Sequence, residues 1–187
     1  MSSNIAVVDL FCGVGGLTCG LKKAGLNVVA GIDNDITCQY AYETNNKTSF
    51  IEADVSKFPS TKVNELFENA NVKILVGCAP CQRFSKHANK YRRNIDTATD
   101  VRWNLLKSFA KYVEDIRPDI ISMENVPELR KYDIFKEFTD KLSDLSYHIS
   151  YKVVDCSKYG LPQKKTQASA TSFKIRRNKS YPGEVNR

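Results

Sequence analysis

No run of about 18 apolar residues, the length a membrane-spanning helix needs, occurs in the 187-residue chain. Nor does the chain open on a basic stretch followed by an apolar one, since Met1–Val8 reads as the start of a strand. The six cysteines lack the density and regular spacing of a secreted disulfide framework, and several sit in apolar runs where a thiol behaves as a small hydrophobe. A membrane span, a leader and a disulfide scaffold are therefore not expected, whereas reduced thiols and a cytoplasmic location are, nucleoid-associated in a bacterium. Internal repeats and low-complexity linkers are also lacking before Tyr159, and the length suits one globular α/β domain without a second complete one. What is plentiful is positive charge. With 28 Lys and Arg against 21 Asp and Glu, a net charge of +7 favours a polyanionic partner, because neutralising phosphates releases counterions.

Apolar, β-branched runs of strand length recur, each followed by a segment of helical period, which is the pattern of a parallel sheet covered on both faces. Strands are predicted at Ile5–Phe11, Val28–Ile32, Ser49–Ile51, Lys73–Val76, Asp119–Met123 and Ile149–Asp155. Helices are predicted at Gly16–Ala24, Ile36–Thr44, Lys62–Asn69, Val101–Ile116 and Ile134–Leu145, with Pro118 as a stop before the fifth strand. Residues 1–162 thus form the α/β domain. From Gln163 to Arg187 the chain turns polar and basic, loses its periodicity, and reads as a tail.

The turn after the first strand, Asp9-Leu10-Phe11-Cys12-Gly13-Val14-Gly15-Gly16-Leu17, is rich in glycine, so its backbone can approach a ligand at a helix N-terminus. A dinucleotide fingerprint would place a third glycine where Thr18 stands, so NAD is disfavoured. Asp33, followed by Asn34, ends the second strand with a carboxylate suited to the two hydroxyls of a ribose. Asp54-Val55 follows the third strand with a carboxylate and an apolar side chain suited to adenine. The three together favour an adenosine-containing ligand.

After the fourth strand comes Cys78-Ala79-Pro80-Cys81-Gln82-Arg83-Phe84-Ser85, at the sheet edge where α/β folds place their ligands. Two readings stay open there: a Cys-x-x-Cys redox pair of Cys78 and Cys81, or a single nucleophile at Cys81. After the fifth strand, Glu124-Asn125-Val126 supplies a carboxylate in an apolar context, where burial would raise its pKa and let it hold a proton for a base nitrogen. The segment following Cys81 carries Arg83, Ser85, Lys86, Lys90, Arg92 and Arg93, a basic cluster suited to phosphates.

In this order and spacing, Asp9–Leu17, Pro80-Cys81-Gln82 and Glu124-Asn125-Val126 resemble the signature motifs of the cytosine-C5 DNA methyltransferases, and the match runs from about Ile5 to Gln163. The resemblance implies a Rossmann-like S-adenosylmethionine-dependent methyltransferase fold with a mostly parallel, doubly wound sheet, incomplete at the C-terminus. It also implies a restriction-modification role with DNA as partner and no metal. Asp9, Phe11, Gly13, Gly15, Gly16, Leu17 and Pro80 would then line the S-adenosylmethionine site, with Asp33 and Asn34 at its ribose and Asp54 and Val55 at its adenine. Cys81 would be the nucleophile, with Gln82, Glu124, Asn125 and Lys165 beside the base. Arg83, Ser85, Lys86, Arg92 and Arg93 would contact DNA, and Cys78 would be packing. A methyltransferase-like remnant that binds nucleic acid without turnover is the alternative, and the redox pair a distant third.

The chain departs from the resemblance late. Tyr159-Gly160-Leu161-Pro162-Gln163 resembles the start of a further motif, but Lys165 and Gln167 stand where the family has two arginines. An antiparallel apolar strand, a target-recognition domain and a closing helix should follow, and none is read in the sequence. A complementary chain supplying them is therefore an expected partner. Back-translation suggests a cause. Removing one A from an A-rich run after the Gln163 codon permits Gln-Lys-Arg-Leu-Arg-Leu-Val-Leu-Leu-Ala-Ser-Arg, with both arginines and the strand. The tail is accordingly expected to be a frame-shifted product, with Ala168–Arg187 unstructured and the strand ends at Met123 and Val153 left without a shared partner.

Overall fold

The structure, a computed structural model, describes residues 4–79, 101–160 and 169–177, the last stretch by its backbone. Strands β1 (Ile5–Leu10), β2 (Val28–Asp33), β3 (Ser49–Glu52), β4 (Val72–Gly77), β5 (Ile120–Met123), β6 (Tyr147–Asp155) and β7 (Ser169–Arg177) form one sheet in the order β3-β2-β1-β4-β5-β7-β6. Strands β1 to β5 pair in parallel, and β7 runs antiparallel to both β5 and β6. The helices are α1 (Gly16–Lys23), α2 (Gln39–Asn46), α3 (Ser60–Glu65), α4 (Val101–Ile116) and α5 (Asp133–Asp144). A mostly parallel α/β sheet is thus what the sequence led us to expect.

β1 shows why the apolar runs become central strands. Successive side chains point to opposite faces, and both faces are covered. Ala6, Val8 and Leu10 join the larger core with Leu75, Ile121 and Met123, whereas Val7 joins Val28, Ile74 and Val76 on the other side. α4 closes the larger core through Leu106, Phe109, Ala110, Val113 and Ile116, spaced to form one apolar stripe. Phe109 is fully buried, and burial of such a side chain contributes about 1.5–3 kcal/mol. The helix ends at Arg117, whose φ of 54° and N–H bond to Val113 O (2.9 Å) are a left-handed C-terminal cap, and Pro118 prevents continuation.

Two expectations about elements are corrected. The predicted helix Ile36–Thr44 is split into a 3-10 turn at Ile36–Cys38 and α2, because the Asp35 carboxylate accepts from Thr37 N (3.1 Å) and tightens the first turn. The larger correction concerns the tail. Ser169–Arg177 is not unstructured: it is β7, and it pairs Met123 with Phe173 and Val153 with Thr171. Neither strand end is left without a shared partner. The reason lies in the segment's period. Thr171, Phe173 and Ile175 alternate at the strand repeat of two, and Lys174, Arg176 and Arg177 beside them obscured it.

Candidate functional site

The register of the sheet brings the carboxyl ends of four strands side by side, pairing Leu10 with Ile32, Leu10 with Gly77, and Gly77 with Met123. The glycine turn, Asn34, Cys78, Glu124 and Asn125 follow these ends and Asp33 closes one, whereas Asp9 lies within β1 and the Asp54–Val55 segment follows β3.

On the β1–β2 side the glycine turn is tightly wound, with positive φ at Phe11 (59°), Gly13 (48°) and Gly15 (87°). The two turn glycines do different work. A Cβ on Gly15 would lie 2.2 Å from Asn46 Nδ2 and 2.7 Å from the Tyr42 ring, so that glycine admits α2 against the turn. At Gly13, as at Gly16, a Cβ would meet nothing within 4 Å, so the backbone presents an open flank ahead of α1. Asp33 braces this flank from β2: one carboxylate oxygen accepts from Gly13 N at 2.8 Å and the other from Asp35 N at 3.0 Å. Asn34 beside it is exposed. Asp33 thus holds the turn open toward solvent and keeps lone pairs available for a ligand hydroxyl.

Asp9 and Leu17 are not on the open flank. Asp9 is completely buried, and Thr18 Oγ1 donates to it at 2.7 Å while lying 3.0 Å from the Tyr42 hydroxyl. Burial pushes the Asp9 carboxyl up to about 7 despite the hydrogen bond from Thr18. Its other oxygen is buried without a hydrogen-bond partner among the described residues. Leu17 packs into the smaller core under α1. Both stand behind the turn and support it. Thr18 explains the missing third glycine, since its hydroxyl binds the buried acid. Sequence reading missed Thr18 and Tyr42 because their contacts are made across the fold. On the outside, Lys22 Nζ donates to Asn46 O and to Thr48 Oγ1 (2.8 Å), tying α1 to the end of α2.

Asp54 and Val55 lie after β3. Asp54 Oδ1 accepts from Ser56 N (2.9 Å) and Ser56 Oγ (2.7 Å), bonds that hold its carboxyl below the usual carboxylate range. Val55 is buried in the larger core, and the Tyr112 hydroxyl donates to the carbonyls of Val55 (3.0 Å) and Phe58 (2.6 Å). Burial raises that hydroxyl's pKa to about 12.

On the β4–β5 side the structure corrects two expectations. Cys78 is exposed, not packed, and its thiol donates to Glu124 Oε2 at 2.7 Å. Glu124 is half-buried and not enclosed, with its N–H bonded to Gly77 O at 3.1 Å. Asn125 is the buried member: its Nδ2 donates to Ala79 O at 3.2 Å and its Oδ1 accepts from Val126 N at 2.8 Å. Pro80, Cys81, Gln82, Arg83, Ser85, Lys86, Lys90, Arg92, Arg93 and Lys165 lie outside the described residues. No helix among the described residues is long and apolar enough to cross a membrane.

The family model described as C-5 cytosine-specific DNA methylase matches residues 5–186, β7 included. The chain is 51% identical over 163 residues to the Type II methylase M.HgiDII of Herpetosiphon aurantiacus, covering 86% of this chain and 44% of that protein. It is 30% identical over 162 residues to the Type II methyltransferase M.HindV of Haemophilus influenzae, covering 87% and 51%. The chain therefore spans about half the length of these curated relatives. Among solved structures, a putative DNA modification methyltransferase encoded within an E. coli prophage is 26% identical with a TM-score of 0.75, covering 93% of this chain and 47% of that one. The S. pombe Dnmt2 methyltransferase, 17% identical, shares the fold with a TM-score of 0.72 over 97% of this chain and 52% of its own.

Proposed function

The chain belongs to the C-5 cytosine-specific DNA methylase family, and from that premise we propose that it is the catalytic part of an enzyme that methylates C5 of cytosine in DNA with S-adenosylmethionine as donor. The observation that supports this most directly is the bond from Asn125 Nδ2 to Ala79 O at 3.2 Å. It ties Ala79, two residues before Cys81 in sequence, to the residue after Glu124, so the segments that lead into the proposed nucleophile and acid meet at the carboxyl ends of β4 and β5.

The residues present fit the donor. The open flank at Gly13 and Gly16 leaves room at the N-terminus of α1, and Asp33 offers carboxylate lone pairs beside it. Phe11, Gly13, Gly15, Gly16, Asp33, Asn34 and the Asp54–Val55 segment would hold it, with Pro80 at its border. When bound, it supplies an electrophilic methyl group.

Cytosine C5 is too weak a nucleophile to take that methyl group unaided. Addition of the Cys81 thiolate at C6 makes the ring electron-rich, and a proton held by Glu124 at N3 relieves the charge that develops there. Once C5 carries the methyl group, the C5 proton passes to solvent, the bond from Cys81 to C6 breaks with the sulfur leaving as thiolate, and the N3 proton returns to Glu124 as the aromatic ring re-forms. Asn125 keeps the Glu124 segment against the Cys81 segment, Gln82 adjoins the nucleophile, and Lys165 is the remaining basic group for the base O2. None of these groups can reach a base stacked in a duplex, so the target nucleotide must leave the stack. Arg83, Ser85, Lys86, Arg92 and Arg93, with the net charge of +7, suit the surrounding phosphates.

The test is covalent trapping. DNA carrying 5-fluorocytosine, offered to the chain with the donor, is expected to become attached at Cys81, because fluorine cannot leave as a proton does. The Cys81→Ser variant should trap nothing, and a lasting adduct in that variant would overturn the assignment.

A further inference from the structure

We propose that Cys78 is a positioning residue for Glu124, its thiol holding the carboxylate in place until a base arrives. This rests on the reading of Glu124 given above. Glu124 has its backbone fixed to β4 by the bond to Gly77 O, but its side chain has three rotatable bonds and is half-buried, so nothing in its backbone sets where the carboxylate points. The side-chain hydrogen bond that the described residues give it comes from Cys78 Sγ at 2.7 Å. Cys78 can hold a fixed place because it follows β4 directly and its N–H donates to Leu10 O at 3.4 Å. Occupying one oxygen of the carboxylate fixes the direction of the other.

The chemistry of the donor matters. A thiol is uncharged and a weak donor, so it orients a carboxylate without neutralising it and yields to a stronger partner such as a ring nitrogen. A lysine there would pair with the acid and compete with the base, and an alanine would leave the acid to swing into solvent. Cys78 also lies three residues before Cys81. The residue that aims the acid and the proposed nucleophile are therefore neighbours in sequence.

Two measurements on the 187-residue chain test this. The first is the rate of iodoacetamide alkylation of Cys78 at pH 7.5, resolved by mass spectrometry. A thiol that donates to a carboxylate ionises against its negative charge, so Glu124→Gln should raise the rate about threefold or more. Glu124→Asp, which withdraws the carboxylate by one methylene, should do the same where the glutamine variant fails to fold. A change below about twofold in the folded variants overturns the proposal. The second measurement is the rate of 5-fluorocytosine trapping at saturating DNA. Cys78→Ala should slow it about tenfold with DNA affinity unchanged, and Cys78→Ser, whose hydroxyl still donates, should restore it to within about twofold. Wild-type trapping by Cys78→Ala would also overturn the proposal. Absence of trapping by the unaltered chain would instead count against the function proposed above, and the alkylation rates would still decide the role of Cys78.

Discussion

The two halves of the crevice are built differently. Around β1 and β2 the turn is braced from every side: Asp33 from the neighbouring strand, Thr18 and Tyr42 from the helices over a buried acid, and Lys22 between α1 and α2. Around β4 and β5 the described residues present an exposed thiol, a half-buried carboxylate and one buried amide. The side proposed for the donor is braced before any ligand arrives, whereas on the side proposed for the base Cys78 is exposed and Glu124 half-buried. That division suits a reaction in which one reactant is small and invariant and the other must be drawn out of a long polymer.

The sharpest way to break the contrast is Gly15→Ala. Its methyl group would overlap Asn46 and Tyr42 at a φ of 87°, so the whole β1–α2 brace must shift. A loss of about 2–4 kcal/mol is expected in urea denaturation, whereas Gly16→Ala, which meets open space, should change stability by less than about 0.5 kcal/mol. Equal losses at the two positions would mean that the turn is not braced as described.

A smaller effect is expected from the buried acid. Thr18→Val leaves Asp9 without its hydroxyl donor and should cost about 1–3 kcal/mol. The pH dependence carries a definite sign. Burial raises the Asp9 carboxyl from 3.8 to about 7, so the folded chain keeps this proton to higher pH than the unfolded chain does. Stability from this group is therefore greatest at low pH, falls as pH rises from about 4 to about 7, and levels off above that. Asp9→Asn should flatten that fall, and thermal melts at pH 5 and pH 7.5 would show whether it does.

The smallest stability change, and the one that separates the halves most cleanly, should come from Asn125→Ala. It removes one hydrogen bond near Ala79 and should cost about 1 kcal/mol. The same change should slow 5-fluorocytosine trapping about tenfold, because the tie between the Cys81 and Glu124 segments is lost. Binding of the donor should not change. A matching loss of donor binding would show that the halves are coupled.

Much of this frame could be read from the chain. Buried central strands announce themselves as continuous apolar runs, and a carboxylate such as Asp33 marks a strand end by standing directly after one. The glycine turn was legible because its backbone needs are local. Thr18, Tyr42 and Cys78 were not, since their partners lie 9, 24 and 46 residues away and leave no mark on neighbouring sequence. β7 was missed for another reason. A strand with Lys174, Arg176 and Arg177 at its end looks like a solvated tail unless its period of two is weighed above its charge.

The position of β7 bears on how the chain is made. β6 pairs with β7 alone among the described strands, and β7 fills the place between β5 and β6 although it is the last described strand in sequence. During synthesis β1 to β5 can align as each emerges, but β6 has no neighbour until Arg177 has left the ribosome. Until then two strand edges stand open to any other chain that can pair with them. Completion of the sheet is thus a late, insertion-like event, and slowing translation just after Asp155 should prolong the interval in which a holdase chaperone is needed.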